Sequence, residues 1–247
     1  MRTLKLTLAY NGTRYAGWQV QRGTKPTIQG TLQATLAHVL GERVTVVGSG
    51  RTDAGVHALG QVAHVKTRSR IPVEKLLRAL NGLLPPDIAV TRIEEVTENF
   101  HAQYHAAAKR YRYTIVTSPA VLPFDRPYVH HVRIPLNVSL MRNEAAALKG
   151  RHDFRAFCAS GSSVRDTHRT LSRMQLRRQK DRVIIELDGD GFLYKMVRGI
   201  VGTLIDIGRG RLPAGTMAHL LKTKDRRLVG PTAPARGLML MGVTYDT

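Results

Sequence analysis

The first hundred residues alternate between strand-like and helix-like spacing of their apolar positions. Every second residue from Leu4 to Tyr10 is apolar, which predicts a half-buried strand that ends at the turn signal Asn11-Gly12. Thr27 is a candidate N-cap for the following helix, and Gly41 is its candidate stop. The predicted elements are, in chain order, a strand over Thr3–Tyr10, a helix between Thr27 and Gly41, strands over Arg43–Val47 and Gly60–Thr67, a helix opened by Pro72, and a strand over Ile88–Val96. The order is β-α-β-β-α-β.

The rest of the chain repeats this order more loosely. In one of its strands, Tyr111 and Tyr113 share a face while Arg110 and Arg112 share the other. The predicted elements are a strand over Lys109–Thr117, a helix over Leu136–Leu148, strands over Leu171–Arg178 and Arg182–Asp188, helices over Phe192–Ile207 and Ala214–Leu221, and a strand over Leu238–Tyr245.

Two copies of a split β-α-β unit predict an α+β fold of two RRM-like or ferredoxin-like halves, residues 1–105 and 106–247. We expect the two halves to form one continuous, mainly antiparallel sheet with helices on one side. A cleft between the halves is then the expected place for an active site.

Charge indicates the class of partner. The chain has 38 Lys plus Arg against 18 Asp plus Glu, a formal net charge of +20. Such an excess repels itself in the folded state unless a polyanion neutralises it, so nucleic acid is the expected partner. Binding to a membrane surface is the alternative, but no basic amphipathic helix supports it. Candidates for gripping phosphates in predicted loops are Arg14, Arg22, Arg70 and Arg165.

The cysteine content and the distribution of apolar residues predict a cytoplasmic protein. A single cysteine, Cys158, cannot form an internal disulfide, which fits a reducing compartment and leaves the usual zinc spacings absent. No apolar run reaches the roughly 18–20 residues needed to span a bilayer. The N-terminus alternates polar and apolar residues at once, so we expect no signal peptide there.

The densest chemical signal is the segment Gly48–Ala58, a Gly-rich loop between two predicted strands. The carboxylate of Asp53 lies two residues from Arg51, and in extended backbone such residues project to the same side. A guanidinium there holds a carboxylate ionised and oriented, as a nucleophile or base requires. An Asx-turn with a surface ion pair explains the same residues equally well.

Other chemistries fit this loop poorly. No Gly-Lys-Ser/Thr follows the glycines and the loop leads into a strand, which argues against a P-loop. Ser49, Asp53 and His57 lie too close together in sequence for a hydrolase triad, and the nucleophile-elbow pattern is missing. His57 and His64 as metal ligands have no more support.

The loop Gly50-Arg51-Thr52-Asp53-Ala54-Gly55-Val56-His57-Ala58 closely resembles the signature of the tRNA pseudouridine synthase A (TruA) family. Further matches follow through nearly the whole chain in the right order. They are Tyr10-Asn11-Gly12-Thr13 with Gly17-Trp18-Gln19, Thr27-Ile28-Gln29-Gly30, Phe100-His101-Ala102, Lys109-Arg110-Tyr111-Arg112-Tyr113, Phe192-Leu193-Tyr194-Lys195-Met196-Val197-Arg198, and Ala233-Pro234-Ala235-Arg236-Gly237-Leu238. Two positions depart from the family: Gly199 stands where Asn is usual, and Lys195 where His is common.

The resemblance implies a cofactor-free isomerase that converts uridine to pseudouridine at positions 38 to 40 of the tRNA anticodon stem-loop, acting as a homodimer. It implies that Asp53 is the catalytic carboxylate with Arg51 as its ion-pair partner. It also implies that Tyr111 stacks on the target base and is a candidate general base. We expect the other substrate-binding residues to be Thr52, Met196 and Arg198. We expect the enzyme to need neither a cofactor nor a metal ion.

These residue types suit the reaction. Breaking the bond from uracil N1 to ribose C1′ builds positive charge on the sugar, which a carboxylate stabilises or traps. Asp53 could attack C1′ or remove the C2′ proton, and the sequence does not choose between them. One rival hypothesis is a glycosylase or nuclease that uses Asp53 to activate water. The other is a non-catalytic RNA-binding or chaperone module of duplicated RRM-like type, in which Asp53 is dispensable.

Overall fold

The computed structural model describes residues 1–161 and 164–246, and within them the chain forms ten strands and five helices. The predicted α+β class is confirmed. No helix in these ranges is long and apolar enough to cross a membrane. The chain divides into a first unit, Met1–Ala107 with the described residues from Leu240 onward, and a second unit, Ala108–Met239.

The first unit has the predicted β-α-β-β-α-β order. Its elements are β1 (Arg2–Tyr10), α1 (Ile28–Leu40), β2 (Val46–Gly48), β3 (His57–Thr67), α2 (Val73–Leu83) and β4 (Ile88–Val96). β1 pairs antiparallel with both β3 and β4, and β2 pairs antiparallel with β3. The last strand of the chain, β10 (Leu238–Tyr245), neighbours β3 on the side away from β1.

Local sequence signals explain why α1 begins and ends where it does. The Thr27 side chain accepts a hydrogen bond from the Gly30 N–H, which satisfies one donor of the first turn. Gly41 follows the helix in the left-handed region at φ 67°, which a residue without a Cβ adopts readily. Between these ends, Leu32 and Leu36 are fully buried on the face that packs into the core.

The second unit also has a five-stranded sheet, with three helices in its described part. Its elements are β5 (Ala106–Val116), β6 (His130–His131), α3 (Val138–Ala146), β7 (Gly150–Asp153), β8 (His168–Gln179), β9 (Arg182–Gly189), α4 (Met196–Gly208) and α5 (Thr216–Thr223). The antiparallel order is β5-β9-β8-β7, and β6 lies parallel to β5.

Three differences from the sequence-based prediction have physical reasons. β6 and β7 are two and four residues long, too short to give a periodic pattern. The helix predicted from Phe192 begins at Met196, because Lys195 takes the left-handed conformation at φ 57° and interrupts helical backbone. The pattern assigned β10 to the second half, whereas its residues from Leu240 belong to the first unit.

Candidate active site

The Gly-rich loop joins β2 to β3 in the first unit, and the structure places Arg51, Thr52 and Asp53 on it. Asp53 is partly exposed and Arg51 is exposed. The main chain turns after Asp53, where the Val56 N–H donates to the Asp53 carbonyl at 3.1 Å and Gly55 has φ 78°. The pairing of Arg51 with Asp53 stays a prediction.

Buried polar side chains hold the loop on the N-terminal side of Asp53. Thr52 is nearly buried, and its Oγ1 is hydrogen-bonded to the Tyr10 hydroxyl at 2.8 Å. Its carbonyl accepts from the Trp18 N–H at 3.0 Å. Burial raises the pKa of Tyr10 to about 12, so its hydroxyl stays protonated and able to donate. Thr52 is therefore fixed through both side chain and main chain.

Gln61 on β3 secures the start of the loop. Its Nε2 donates to the Gly50 carbonyl at 3.0 Å, and its Oε1 accepts from the Ser49 hydroxyl at 2.7 Å. Both Ser49 and Gln61 are fully buried. The Ser49 hydroxyl therefore serves as a structural donor, which agrees with the rejection of a serine hydrolase.

Close approach of neighbouring segments explains two glycines, Gly12 before the loop and Gly48 at its start. A Cβ at Gly12 would lie 2.0 Å from the Val56 carbonyl oxygen, so only glycine lets these two segments meet. A Cβ at Gly48 would lie 2.5 Å from the Trp18 ring. The motifs around Gly12 and Trp18 thus pack directly against the loop.

His57 is a buried residue that holds the main chain at Gly12. It is 1% exposed, and its Nδ1 accepts a hydrogen bond from the Gly12 N–H at 3.2 Å. Within residues 1–161 and 164–246, no group of three or more His, Cys, Asp or Glu side chains could hold a metal ion.

The second unit carries the other candidate residues. Tyr111 lies on β5 opposite Leu187, is 7% exposed, and meets the Phe192 ring edge-to-face at 5.0 Å between centroids. Tyr113 is fully buried, and its hydroxyl donates to the Pro234 carbonyl at 2.8 Å. The predicted shared face of the two tyrosines is the buried face of the strand.

Arg198 lies in the first turn of α4 and is held by the segment that precedes β10. Its Nε donates to the Ala233 carbonyl at 2.8 Å, and its own carbonyl accepts from the Ala233 N–H at 3.0 Å. The segment lies against α4 so closely that a Cβ at Gly202 would be 1.7 Å from the Pro231 oxygen. We define residues 230–237 as the bracing segment. The sequence resemblance included its second half but assigned it no role.

The neighbours of Arg198 on the same helix differ in their environment. Met196 is fully buried. A Cβ at Gly199 would be 3.7 Å from the Phe157 ring, an ordinary contact, so the site has room for a larger residue. Lys195 places its Nζ 4.9 Å from the centroid of the Tyr194 ring. The structure leaves the substrate-binding roles of Thr52, Met196 and Arg198 as predictions.

Comparison with known proteins identifies relatives over the full chain. A family model described as tRNA pseudouridine synthase matches residues 7–105 and 145–246, which include the loop and α4 but not Tyr111. The tRNA pseudouridine synthase A of Moorella thermoacetica is 49% identical over 246 residues, 99% of this chain and 100% of the relative. Those of Ruminiclostridium cellulolyticum and Thermoanaerobacter sp. strain X514 are 48% and 45% identical, with the same coverage.

Proposed function

We propose, from the premise that this chain belongs to the tRNA pseudouridine synthase family, that its targets are the uridines at positions 38 to 40 of the anticodon stem-loop. The chain is an isomerase that converts uridine to pseudouridine in tRNA. The positions rest on the resemblance of its motifs to those of the TruA family. The net charge of +20 suits a polyanionic substrate.

Asp53 is proposed as the catalytic carboxylate. The observation that carries this assignment is the anchoring of the loop at Thr52, directly before Asp53, and at the Asp53 carbonyl, which accepts from the Val56 N–H. A catalytic group needs a fixed position relative to the atoms it acts on, and buried hydrogen bonds supply it. Partial exposure leaves Asp53 open to a substrate that enters from solvent.

The reaction exchanges one glycosidic bond for another. The bond from N1 to C1′ breaks, the base turns, and a bond from C5 to C1′ forms; C5 then loses its proton and N1 gains one. Asp53 either attacks C1′ or removes the C2′ proton in the first stage. The detached uracil stays in place only if water is excluded and the ring is held. The target nucleotide must also leave the base stack to be reached.

Five further residues are proposed to support this chemistry. Arg51 pairs with the Asp53 carboxylate and orients it. Tyr111 stacks on the base, and its hydroxyl is a candidate acceptor for the C5 proton. Arg198 binds the substrate with a guanidinium whose Nε is already fixed on Ala233. Thr52 positions Asp53 and contributes to substrate binding through the same loop. Met196, the first residue of α4, is proposed to contribute to the same substrate-binding wall as Arg198.

The decisive experiment uses tRNA that carries tritium at uridine C5. Formation of the C5 link expels that hydrogen, so tritium release follows the chemistry directly. We expect release by the wild type and none above background by Asp53→Asn, which keeps the size of the side chain and removes its charge. Asp181→Asn, the same change at an exposed carboxylate in the β8–β9 hairpin, is the matched control and should retain full release.

Other outcomes point to the rival hypotheses. Free uracil or a shortened RNA would indicate a glycosylase or nuclease. Tight, salt-sensitive tRNA binding by the wild type without tritium release would indicate a binding module. Replacement of uridines 38, 39 and 40 by cytidine, one at a time and together, tests the target positions. Release that persists from the triple replacement would refute them.

We also propose that the enzyme works as a cytoplasmic homodimer, with one subunit gripping the tRNA body while the other acts. Dimerisation rests on the family resemblance, and the cytoplasm on the single Cys158 and the tRNA substrate. Light scattering should give about twice the chain mass of 27.4 kDa at working concentration. A mass equal to one chain would contradict the dimer.

A further inference from the structure

One face of the second unit's sheet carries a group of arginines. Side chains alternate between the two faces of a strand, and the residues opposite one another across β5, β9 and β8 share a face. Arg112 is opposite Glu186 on β9, and Gln175 on β8 is opposite the same Glu186. We call this side the arginine face and define it by Arg110, Arg112, Arg173, Arg177, Glu186 and Asp188.

Glu186 lies at the centre of the arginine face. Its Oε1 accepts from both Nε and Nη2 of Arg112, at 3.0 and 2.7 Å. Its Oε2 accepts from Nη2 of Arg173 at 3.0 Å and lies 3.7 Å from Nη2 of Arg177. Only 5% of the Glu186 side chain is exposed, so the arginine side chains cover it.

One carboxylate cannot neutralise three guanidinium groups. Arg112, Arg173 and Arg177 around Glu186 leave two positive charges in excess, whereas Arg110 and Asp188 form a balanced pair at 2.7 Å. The three arginine side chains remain 36%, 38% and 42% exposed. Each guanidinium has five N–H donors, so most of these donors remain available after the bonds to Glu186.

The contacts with Glu186 also fix the arginines in place. Burial would raise the pKa of Glu186, but the hydrogen bonds and charges of the arginines outweigh it and lower the pKa, so the carboxylate stays ionised. Arg173 and Arg177 are four residues apart on β8, yet an Nη2 of each lies within 3.7 Å of the same Glu186 oxygen, so their guanidinium groups converge. A phosphate group can therefore contact several guanidinium groups at one place, and those of Arg112 and Arg173 are already held by hydrogen bonds to Glu186.

We propose that the arginine face binds phosphates of the tRNA backbone, as a docking surface additional to the catalytic loop. The proposal rests on tRNA as the substrate, and it needs no particular target position. Charge complementarity selects this occupant, since guanidinium groups match phosphate oxygens in geometry and charge. A second copy of the chain is disfavoured, because a two-fold interface would bring this excess of positive charge against itself.

The experiment measures binding of an unmodified tRNA transcript as a function of salt concentration. The variant Arg173→Gln/Arg177→Gln removes both excess charges and leaves Arg112 to neutralise Glu186. We expect its Kd to rise about tenfold at low salt, and the slope of log K against log salt to fall by about one to two. Arg211→Gln is the matched control: this arginine follows α4, is 62% exposed and lies 3.8 Å from Asp206. It should leave both quantities at their wild-type values.

Arg173→Lys/Arg177→Lys distinguishes phosphate binding from a merely structural role. It keeps the charge, so we expect a salt slope close to that of the wild type. A Gln variant that stays folded by circular dichroism but binds with unchanged Kd and slope would overturn the proposal. So would a change of oligomeric mass without a change in tRNA binding, which would assign the face to a contact between copies. Because the experiment measures binding, its result does not depend on whether positions 38 to 40 are the targets. A wild-type protein that does not bind tRNA would overturn both the proposed function and the proposed role of the arginine face.

Discussion

Alanine substitution at Gly202 tests how the bracing segment holds α4. The new Cβ would lie 1.7 Å from the Pro231 carbonyl oxygen and 2.9 Å from its carbon. A carbon and an oxygen in contact need about 3.3 Å, so the Pro231 carbonyl must retreat by about 1.6 Å. The Pro231 oxygen belongs to the main chain and a Cβ has no rotamer of its own, so no side-chain rotation relieves the clash.

The magnitude follows from the bonds on either side of Pro231. Gly230 N donates to Thr203 Oγ1 at 3.0 Å, and two hydrogen bonds join Ala233 to Arg198. A shift of about 1.6 Å breaks these three bonds, at about 1 kcal/mol each. Residual overpacking adds about 1 kcal/mol, and the better helix propensity of alanine returns about 1 kcal/mol. The free energy of unfolding should therefore fall by about 3 kcal/mol.

Gly199 on the same helix is the matched control. Its added Cβ would meet nothing closer than the Phe157 ring at 3.7 Å, which is an ordinary contact. Gly199→Ala should therefore gain helix propensity without a clash and raise the free energy of unfolding by up to about 1 kcal/mol. The two substitutions are chemically identical and three residues apart, yet their expected effects have opposite signs.

Urea unfolding followed by far-ultraviolet circular dichroism measures both variants, with stability compared at an unchanged m-value. The single tryptophan, Trp18, lies in the first unit, so its fluorescence reports a part of the chain that neither substitution touches. A Gly202→Ala protein as stable as the wild type would refute the steric reasoning. Equal damage from both substitutions would also refute it, since it would show that α4 tolerates no added methyl group at all.

Three further predictions rest on single contacts. Tyr113→Phe removes the hydrogen bond to the Pro234 carbonyl and should lower the free energy of unfolding by about 1–2 kcal/mol in the same urea assay. Burial lowers the pKa of His64 to about 4, so the unfolded chain binds more protons than the folded one between about pH 6.5 and 4. Stability should fall as pH falls through this window, and His64→Gln should flatten the pH dependence of the urea midpoint read by Trp18 fluorescence. Burial would raise the pKa of Asp153, but the hydrogen bonds from Thr167 and Lys224 outweigh it and hold the pKa at about 2. The ionised Asp153 therefore stabilises the folded state above about pH 4, and this stabilisation is lost as pH falls to about 2. Asp153→Asn should lower the melting temperature at neutral pH more than it does at about pH 2.

Periodic signals predicted most of the secondary structure. All six predicted elements of the first unit exist, and both ends of α1 follow from Thr27 and Gly41. The alternation of Tyr111 and Tyr113 with arginines correctly separated the buried and exposed faces of β5. These features depend on residues within one turn or one strand of each other, and this is the range over which a sequence pattern carries information.

What the sequence did not predict depends on contacts between distant positions. The pairing partner of β10 cannot be read from the strand itself, because register and neighbours are set by the packed sheet. The left-handed Lys195 that delays α4 has no local signature, since lysine rarely adopts this conformation. The clamp between Gly202 and the bracing segment joins residues about thirty positions apart, and a glycine in a helix does not indicate what approaches it.

The candidate site shows why so many of the recognised motifs lack reactive groups. Gly12, Trp18 and Gly48 contribute no acid, base or nucleophile, yet each lies in van der Waals reach of the loop or of the strand that leads into it. Their small size or flat surface allows the backbone segments on both sides of Asp53 to pack together. An alanine at Gly48 would place its Cβ 2.5 Å from the Trp18 ring, so the ring would have to move. Because the Trp18 N–H holds the Thr52 carbonyl, that displacement reaches the residue directly before Asp53. The position of the Asp53 carboxylate therefore depends on residues without reactive side chains, which a search of the sequence for acids, bases and nucleophiles does not select.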